Sequence, residues 1–372
     1  MGWSTHHPVG LIHYSPQHCY RGYTLFATNR GGYHANLIDM DGRICHRWYS
    51  AEGITYSYLL PNGNLLLRTP APPDAGGAET IGGSSGSLLE LDWDSNVVWE
   101  YRYPLLHHDF ERLPNGNTLA LVWEQIPVDL AAQVQGGFQG DGDSQPMYGD
   151  LVQEITPSGL VVYQWKSWEH LNVDEDIICP LEARREWTHG NALNVTPEGD
   201  LLVSYRLTST VGIVDKVTGN FRWKWGPGEV YHQHHPTYLD NGHVLIFDNG
   251  GHRRGVSHSR IVEVDPATNE IAWEYLGTPN ISFYSYNISS AERQPNGNTV
   301  ICEGAPGRMF EVTPGKDIVW EYINPFFGQV GVGRATESVN AVFRAHRYSP
   351  DHPGLVGKDL DPARFANLNR FY

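Results

Sequence analysis

Six tryptophans, Trp48, Trp99, Trp165, Trp223, Trp273 and Trp320, each close a strand–turn–strand segment, and no other feature restricts the fold as much. Their spacing of roughly 50 residues is that of a repeat architecture in which each repeat is one small sheet. Upstream of five of them lies a second signal, a strand followed by a Pro-Asn-Gly-Asn type of turn. It reads Leu60-Pro61-Asn62-Gly63-Asn64 and Leu113-Pro114-Asn115-Gly116-Asn117. Variants occur at Thr196-Pro197-Glu198-Gly199-Asp200, Leu239-Asp240-Asn241-Gly242-His243 and Gln294-Pro295-Asn296-Gly297-Asn298. Proline presets φ and Asn-Gly accepts positive φ, so these are hairpin turns with a physical cause. Four strands per unit and six units predict an all-β, six-bladed β-propeller of four-stranded antiparallel blades around a central channel. A pair of β-sandwiches has no reason to repeat at this spacing.

The expected organisation is one domain over 1–372, with blades starting near 10, 53, 105, 188, 231 and 286. Tyr23-Thr24-Leu25-Phe26 is the expected second strand of the first blade. Residues 338–350 follow the sixth tryptophan and are expected to return to the first blade, leaving 351–372 as a tail. Twelve Trp and 20 Tyr agree with strands. The formal charge of −16 argues against nucleic acid as a partner, although local Arg and His clusters still admit a small aromatic or anionic substrate. No apolar run is long enough for a membrane span. Cys19, Cys45, Cys179 and Cys302 are scattered and suggest no disulfide framework. With no leader pattern at Met1–His7, a cytoplasmic location is expected, or a periplasmic or secreted one if a leader was removed.

Aligning the repeats on the turn collects the histidines. Six positions before the first turn residue lie Thr55, His108, Asn191, His234 and Ser289; eight before lie Gly53, Leu106, His189, His232 and Asn287. Residues two apart share a strand face, so His108, His189, Asn191, His232 and His234 are expected to converge at one mouth of the channel. Long connections at 70–87, 125–149, 167–188 and 275–286 are expected at the same mouth, as functional loops. Second strands should deliver Arg68, Glu124, Arg206, Asp248 and Glu303 there. Asp109 and Glu124 read as orienting partners, and Arg260 as structural. His107 is open to two readings, a substrate contact or a satisfied blade-face histidine. Tyr231 and Phe283 are candidates to sandwich an aryl ring.

His107-His108-Asp109-Phe110 with its following turn resembles the bacterial arylsulfate sulfotransferases. So do Trp187-Thr188-His189-Gly190-Asn191 running to Ser204-Tyr205-Arg206, and Gln233-His234 before Phe247-Asp248-Asn249-Gly250. Phe343-Arg344-Ala345-His346-Arg347-Tyr348 is similar to segments of the broader family, and the likeness runs from about residue 35 to 355. The resemblance implies six blades and transfer of a sulfuryl group from an aryl sulfate to a phenol, with no cofactor. It implies His234 as the nucleophile that becomes sulfohistidine, and His108 and His189 as proton donors or acceptors. Asn191 and Arg206 would hold the sulfuryl oxygens, with His107, His232 and Tyr231 lining the substrate site. A neutral imidazole suits nucleophilic catalysis, and a histidine near its ordinary pKa suits proton transfer to and from a phenol.

Converging imidazoles support a second class of reading. His108, His189 and His234, with His232 or His346, would bind a divalent transition metal (Zn, Ni, Cu or Fe) with an open position and make the chain a lyase or hydrolase. Asp109 or Glu303 would then orient the ligands. A third reading is a non-catalytic binding propeller.

Overall fold

The five turn glycines Gly63, Gly116, Gly199, Gly242 and Gly297 all have φ between 85° and 90°, as the hairpin reading requires. In the computed structural model, which describes residues 8–71, 81–138, 146–332 and 335–370, each of these turns joins the first two strands of a four-stranded antiparallel blade. There are six such blades, giving the six-bladed β-propeller fold. No helix among the described residues is long and apolar enough to cross a membrane.

The chain divides into two compact units of three blades each. The first unit comprises Met1–Pro72, Gly86–Arg102 and Ile288–Tyr372. One of its blades orders the strands Val342–Tyr348, Tyr23–Thr28, His34–Ile38 and Ile44–Tyr49. The C-terminal segment therefore supplies the first strand of that blade. Gly10–Tyr14 does not begin it, contrary to the expected start near residue 10. It pairs instead with Ile318–Ile323 as a fifth strand on the sixth blade. The physical reason is that Val342–Tyr348 already occupies the ladder edge of Tyr23–Thr28.

The second unit comprises Pro73–Ser85 and Tyr103–Asn287 and holds every histidine singled out above except His346. Its blades open with the strands Leu106–Arg112, Gly190–Val195 and His234–Tyr238. Leu119, Val152, Leu193, Leu201 and Val203 bury the seam between the first two blades, and Leu202, Val211, Val244 and Ile246 that between the next two. The insertions add a small parallel sheet in which Gly136–Phe138 pairs with Ile178–Ala183. Arg184 pins it by donating to the carbonyls of Gly136, Ala131 and Val134. Parts of two insertions, 72–80 and 139–145, and the N-terminal residues 1–7 lie outside the described residues.

A link invisible in the turn motif itself ties each hairpin to its own blade. The turn amides of Asn62 and Asn64 donate to Glu90 on the third strand, and those of Asn115 and Asn117 to Glu154. Asn241 and His243 meet Glu263 in the same way, and Asn298 meets Glu311. In the one variant turn that ends in an acid, Asp200, the third strand carries Ile213 in place of glutamate, and Asp200 pairs with Arg222 at 3.2 Å. A second buried carboxylate there would repel the first, so the two positions change together.

Candidate active site

In the second unit the strand Gly190–Val195 packs against both Leu106–Arg112 and His234–Tyr238. Ladder register breaks at all three first strands: opposite Ala120/Leu121, between Gly190 and Ala192, and between His234 and Thr237. Around those breaks His108, His189, His232 and His235 adopt φ of 41°, 53°, 57° and 48°. Left-handed backbone is unfavourable for residues with a β-carbon and persists where the surroundings enforce it, commonly at functional sites. The period-two expectation is corrected here. His189 and His232 precede strands that begin at Gly190 and His234, so bulges and left-handed turns aim these rings.

His108 and His189 meet edge to face with ring centroids 4.5 Å apart. His189 Nδ1 faces both oxygens of Glu186, at 2.8 and 3.0 Å, so Nδ1 carries the proton and Nε2 the lone pair of the neutral ring. His107 stacks on Trp123 at 4.2 Å, with its Nδ1 3.0 Å from His108 Nδ1 and its Nε2 3.2 Å from Asp150 Oδ1. Its side chain is fully buried. Asp150 accepts from Thr188 Oγ1 and, at 2.7 Å, from the Gly190 amide. Gly83 is pressed onto the His108 ring so closely that a β-carbon there would fall 2.0 Å from Cε1. The insertion carrying Gly83 thus fixes one side of the ring.

His234 is oriented by a fixed amide. Asn249 Nδ2 donates to the Ser285 carbonyl at 2.9 Å, which leaves Asn249 Oδ1 to accept from His234 Nδ1 at 2.7 Å. The His232 carbonyl lies 3.1 Å from the same Nδ1. With the proton on Nδ1, Nε2 bears the lone pair that a nucleophile needs. Asn191 is tied to the adjoining residue, donating to the Gln233 carbonyl at 2.8 Å.

Arg206 donates from Nη1 to Glu182 Oε1 at 2.8 Å, and the insertion strand Ile178–Ala183 supplies that carboxylate. His232 Nδ1 lies 3.4 Å and His252 Nδ1 3.8 Å from the same oxygen. Burial pushes the His232 pKa down to about 2, and Arg206, His252, His234 and His189 add to the effect. His232 is therefore neutral at ordinary pH, and its contact with Glu182 is not an ion pair.

Other expected members have partners of their own. Tyr231 is half-buried under Arg253, whose guanidinium lies 5.1 Å from the ring centroid. Phe283 is fully buried against Phe247 and Tyr275, so it is core and not a substrate sandwich. Asp248 clamps Arg253 and Arg260, and Glu124 pairs with Lys166 at 2.9 Å. Asp109 accepts the backbone amides of Phe110 and, at 2.7 Å, Leu193. In the first unit His346 bonds Glu292 and Tyr56, Arg68 lies over Phe343, and Glu303 pairs with Arg308. The alternative metal set of His108, His189 and His234 is not gathered. Among the described residues the group whose ligand atoms all fall within 4.8 Å of one another is Cys179, His232 and His252. Sequence reasoning missed Glu182, Glu186, Asp150 and Asn249 as partners. The first two sit in an insertion with no equivalent in other repeats, and the last two act across strands from the histidines.

No curated protein is significantly similar to the chain. Among solved structures, a protein of unknown function from Bacteroides caccae is similar at 14% identity and a TM-score of 0.55, covering 88% of this chain and 98% of that one. A streptogramin B lyase is similar at 12% identity and a TM-score of 0.48, covering 92% and 93%. A virginiamycin B lyase from Staphylococcus aureus gives 11% and 0.48, covering 90% and 96%. These likenesses at low identity concern the fold alone. The family model for arylsulfotransferase (ASST) matches residues 37–231, just over half of the chain. The chain belongs to the arylsulfotransferase family.

Proposed function

We propose that this chain transfers a sulfuryl group from an aryl sulfate to a phenol in two displacements through His234. The observation that carries the reading is the hydrogen bond from His234 Nδ1 to Asn249, which directs the ring's lone pair to Nε2 in a chain of this family. In the first displacement Nε2 attacks sulfur and the sulfur–oxygen bond to the aryl group breaks, its electron pair leaving on the phenolate. His189 in its doubly protonated form, held at Nδ1 by Glu186, gives its Nε2 proton to that oxygen. In the second displacement the acceptor phenol loses its proton to the neutral His189, and its oxygen takes the sulfuryl group from His234. His108, in ring contact with His189, shares this proton traffic. Arg206 and Asn191 hold the sulfuryl oxygens, whose charge persists throughout both steps. His232 and Tyr231 border the substrate, and His107 orients His108.

The chain incubated with an aryl sulfate in the absence of acceptor should gain one sulfuryl mass on a peptide containing His234. His234→Ala should retain the fold and lose both label and phenol release. Turnover that persists in His234→Ala, or turnover without label, overturns the reading. Glu186→Gln is expected to keep the label but slow phenol release, by about 10–100-fold, because the proton donor loses its counter-charge.

A further inference from the structure

We propose that Cys179, His232 and His252 form a binding site for a zinc-class divalent ion. Cys179 Sγ lies 3.4 Å from His252 Nδ1, and the ligand atoms of all three residues fall within 4.8 Å of one another. In a four-coordinate zinc site with bonds of about 2.0–2.3 Å, ligand atoms stand roughly 3.3–3.7 Å apart. The group is thus close to coordinating spacing without rearrangement of the backbone.

An independent observation points into the same space. His232 is 1% exposed, yet neither of its ring nitrogens has a hydrogen-bond partner among the described residues. The nearby Glu182 oxygen is out of line for a hydrogen bond. Buried polar atoms are seldom left this way, and a metal ion satisfies a buried neutral imidazole as well as a donor does. Gly251 borders the site, where an added β-carbon would lie 3.4 Å from His232 Nδ1, so the chain there crosses without a side chain.

One thiolate and two imidazoles are a borderline-soft set that suits zinc over magnesium or calcium. Binding displaces the Cys179 thiol proton to solvent, so the bound group carries one positive charge. Glu182 then stands beside it as a compensating carboxylate, 3.4 and 3.8 Å from the two imidazoles. The ion would fasten the insertion strand Ile178–Ala183, which carries both Cys179 and Glu182, to the segment following Val244–Asp248. The fourth position is left for water. The proposal stands apart from sulfuryl transfer by His234, and its test reads metal and not turnover.

The full chain, purified without a metal-affinity tag and stripped with chelator, is titrated with Co²⁺ and then with Zn²⁺. One equivalent of Co²⁺ should give intense four-coordinate visible bands and a thiolate-to-cobalt charge-transfer band in the near ultraviolet, both bleached by Zn²⁺. Cys179→Ser should lose the charge-transfer band, and His252→Ala should weaken binding by more than about 100-fold. Both replaced side chains are partly exposed, and circular dichroism of the stripped proteins checks their folds. Glu182→Gln should retain the band with affinity lowered about 10–100-fold. Absence of the bands in the parent chain overturns the site. So does cobalt binding unchanged by both Cys179→Ser and His252→Ala, which would locate the ion on other ligands.

Discussion

The Asp150 carboxyl is fully buried under Thr188 and Gly190, and burial pushes its pKa up to about 7. The Glu186 charge adds to the rise; bonds from Thr188 and Gly190 and the charge of His189 oppose it. The folded chain therefore holds this proton more tightly than the unfolded chain, whose carboxyl titrates near 4. Stability contributed by the protonated group is complete below that value and is lost as pH rises towards 7, by on the order of 4 kcal/mol. Asp150→Asn should flatten this part of the profile. Thermal melts of the parent chain should fall relative to the variant between pH 4 and 7; parallel profiles would show that Asp150 is not the titrating group. The same residue borders the site, with its Oδ1 3.2 Å from His107 Nε2.

At the scale of the element, the turn motif and the third strand form one device. Asn64 Nδ2 donates at 2.7 Å to Glu90, a carboxylate only 8% exposed. Asn64→Ala should destabilise the chain by about 1–3 kcal/mol, because a largely buried acceptor loses a donor, and should leave any turnover unchanged. Urea unfolding of the variant measures this; an unaltered midpoint would reduce the contact to decoration. The turns themselves were readable from Pro, Asn and Gly. Their glutamate partners were not, because a strand glutamate in a polar–apolar alternation looks solvent-facing until the neighbouring hairpin folds over it. The active-site elements divide in the same way. Alignment of the repeats put His108, Asn191 and His234 at one repeat position and His189 two before it, but misjudged what aims them. Bulges and left-handed backbone at His108, His189 and His232 have no signature in a strand pattern.

At the scale of the molecule, both ends of the chain are stitched into the first unit. Val342–Tyr348 is the first strand beside Tyr23–Thr28, and Gly10–Tyr14 is the fifth strand beside Ile318–Ile323. Arg347 reinforces the join as a fully buried guanidinium, donating to Glu311, Thr24 and the Tyr20 carbonyl. A chain ending before residue 340 leaves the Tyr23–Thr28 edge unpaired and the Glu311 carboxylate without this partner. It should lose cooperative unfolding and associate through the open edge. Circular dichroism melts and size-exclusion chromatography test this, and a truncated chain that melts like the parent would overturn it.

The sequence by itself determined the number of blades, the hairpin turns and the set of histidines that share a repeat position. Those depend on local periods and on φ preferences that any short segment carries. Only the tertiary structure decided that Gly10–Tyr14 joins the sixth blade and not the first, and which carboxylate or amide fixes each imidazole. It also brought Cys179 and His252, 73 residues apart, to within hydrogen-bonding distance. Such pairings join segments distant in the chain, and no local propensity encodes them; packing selects them once the blades have formed.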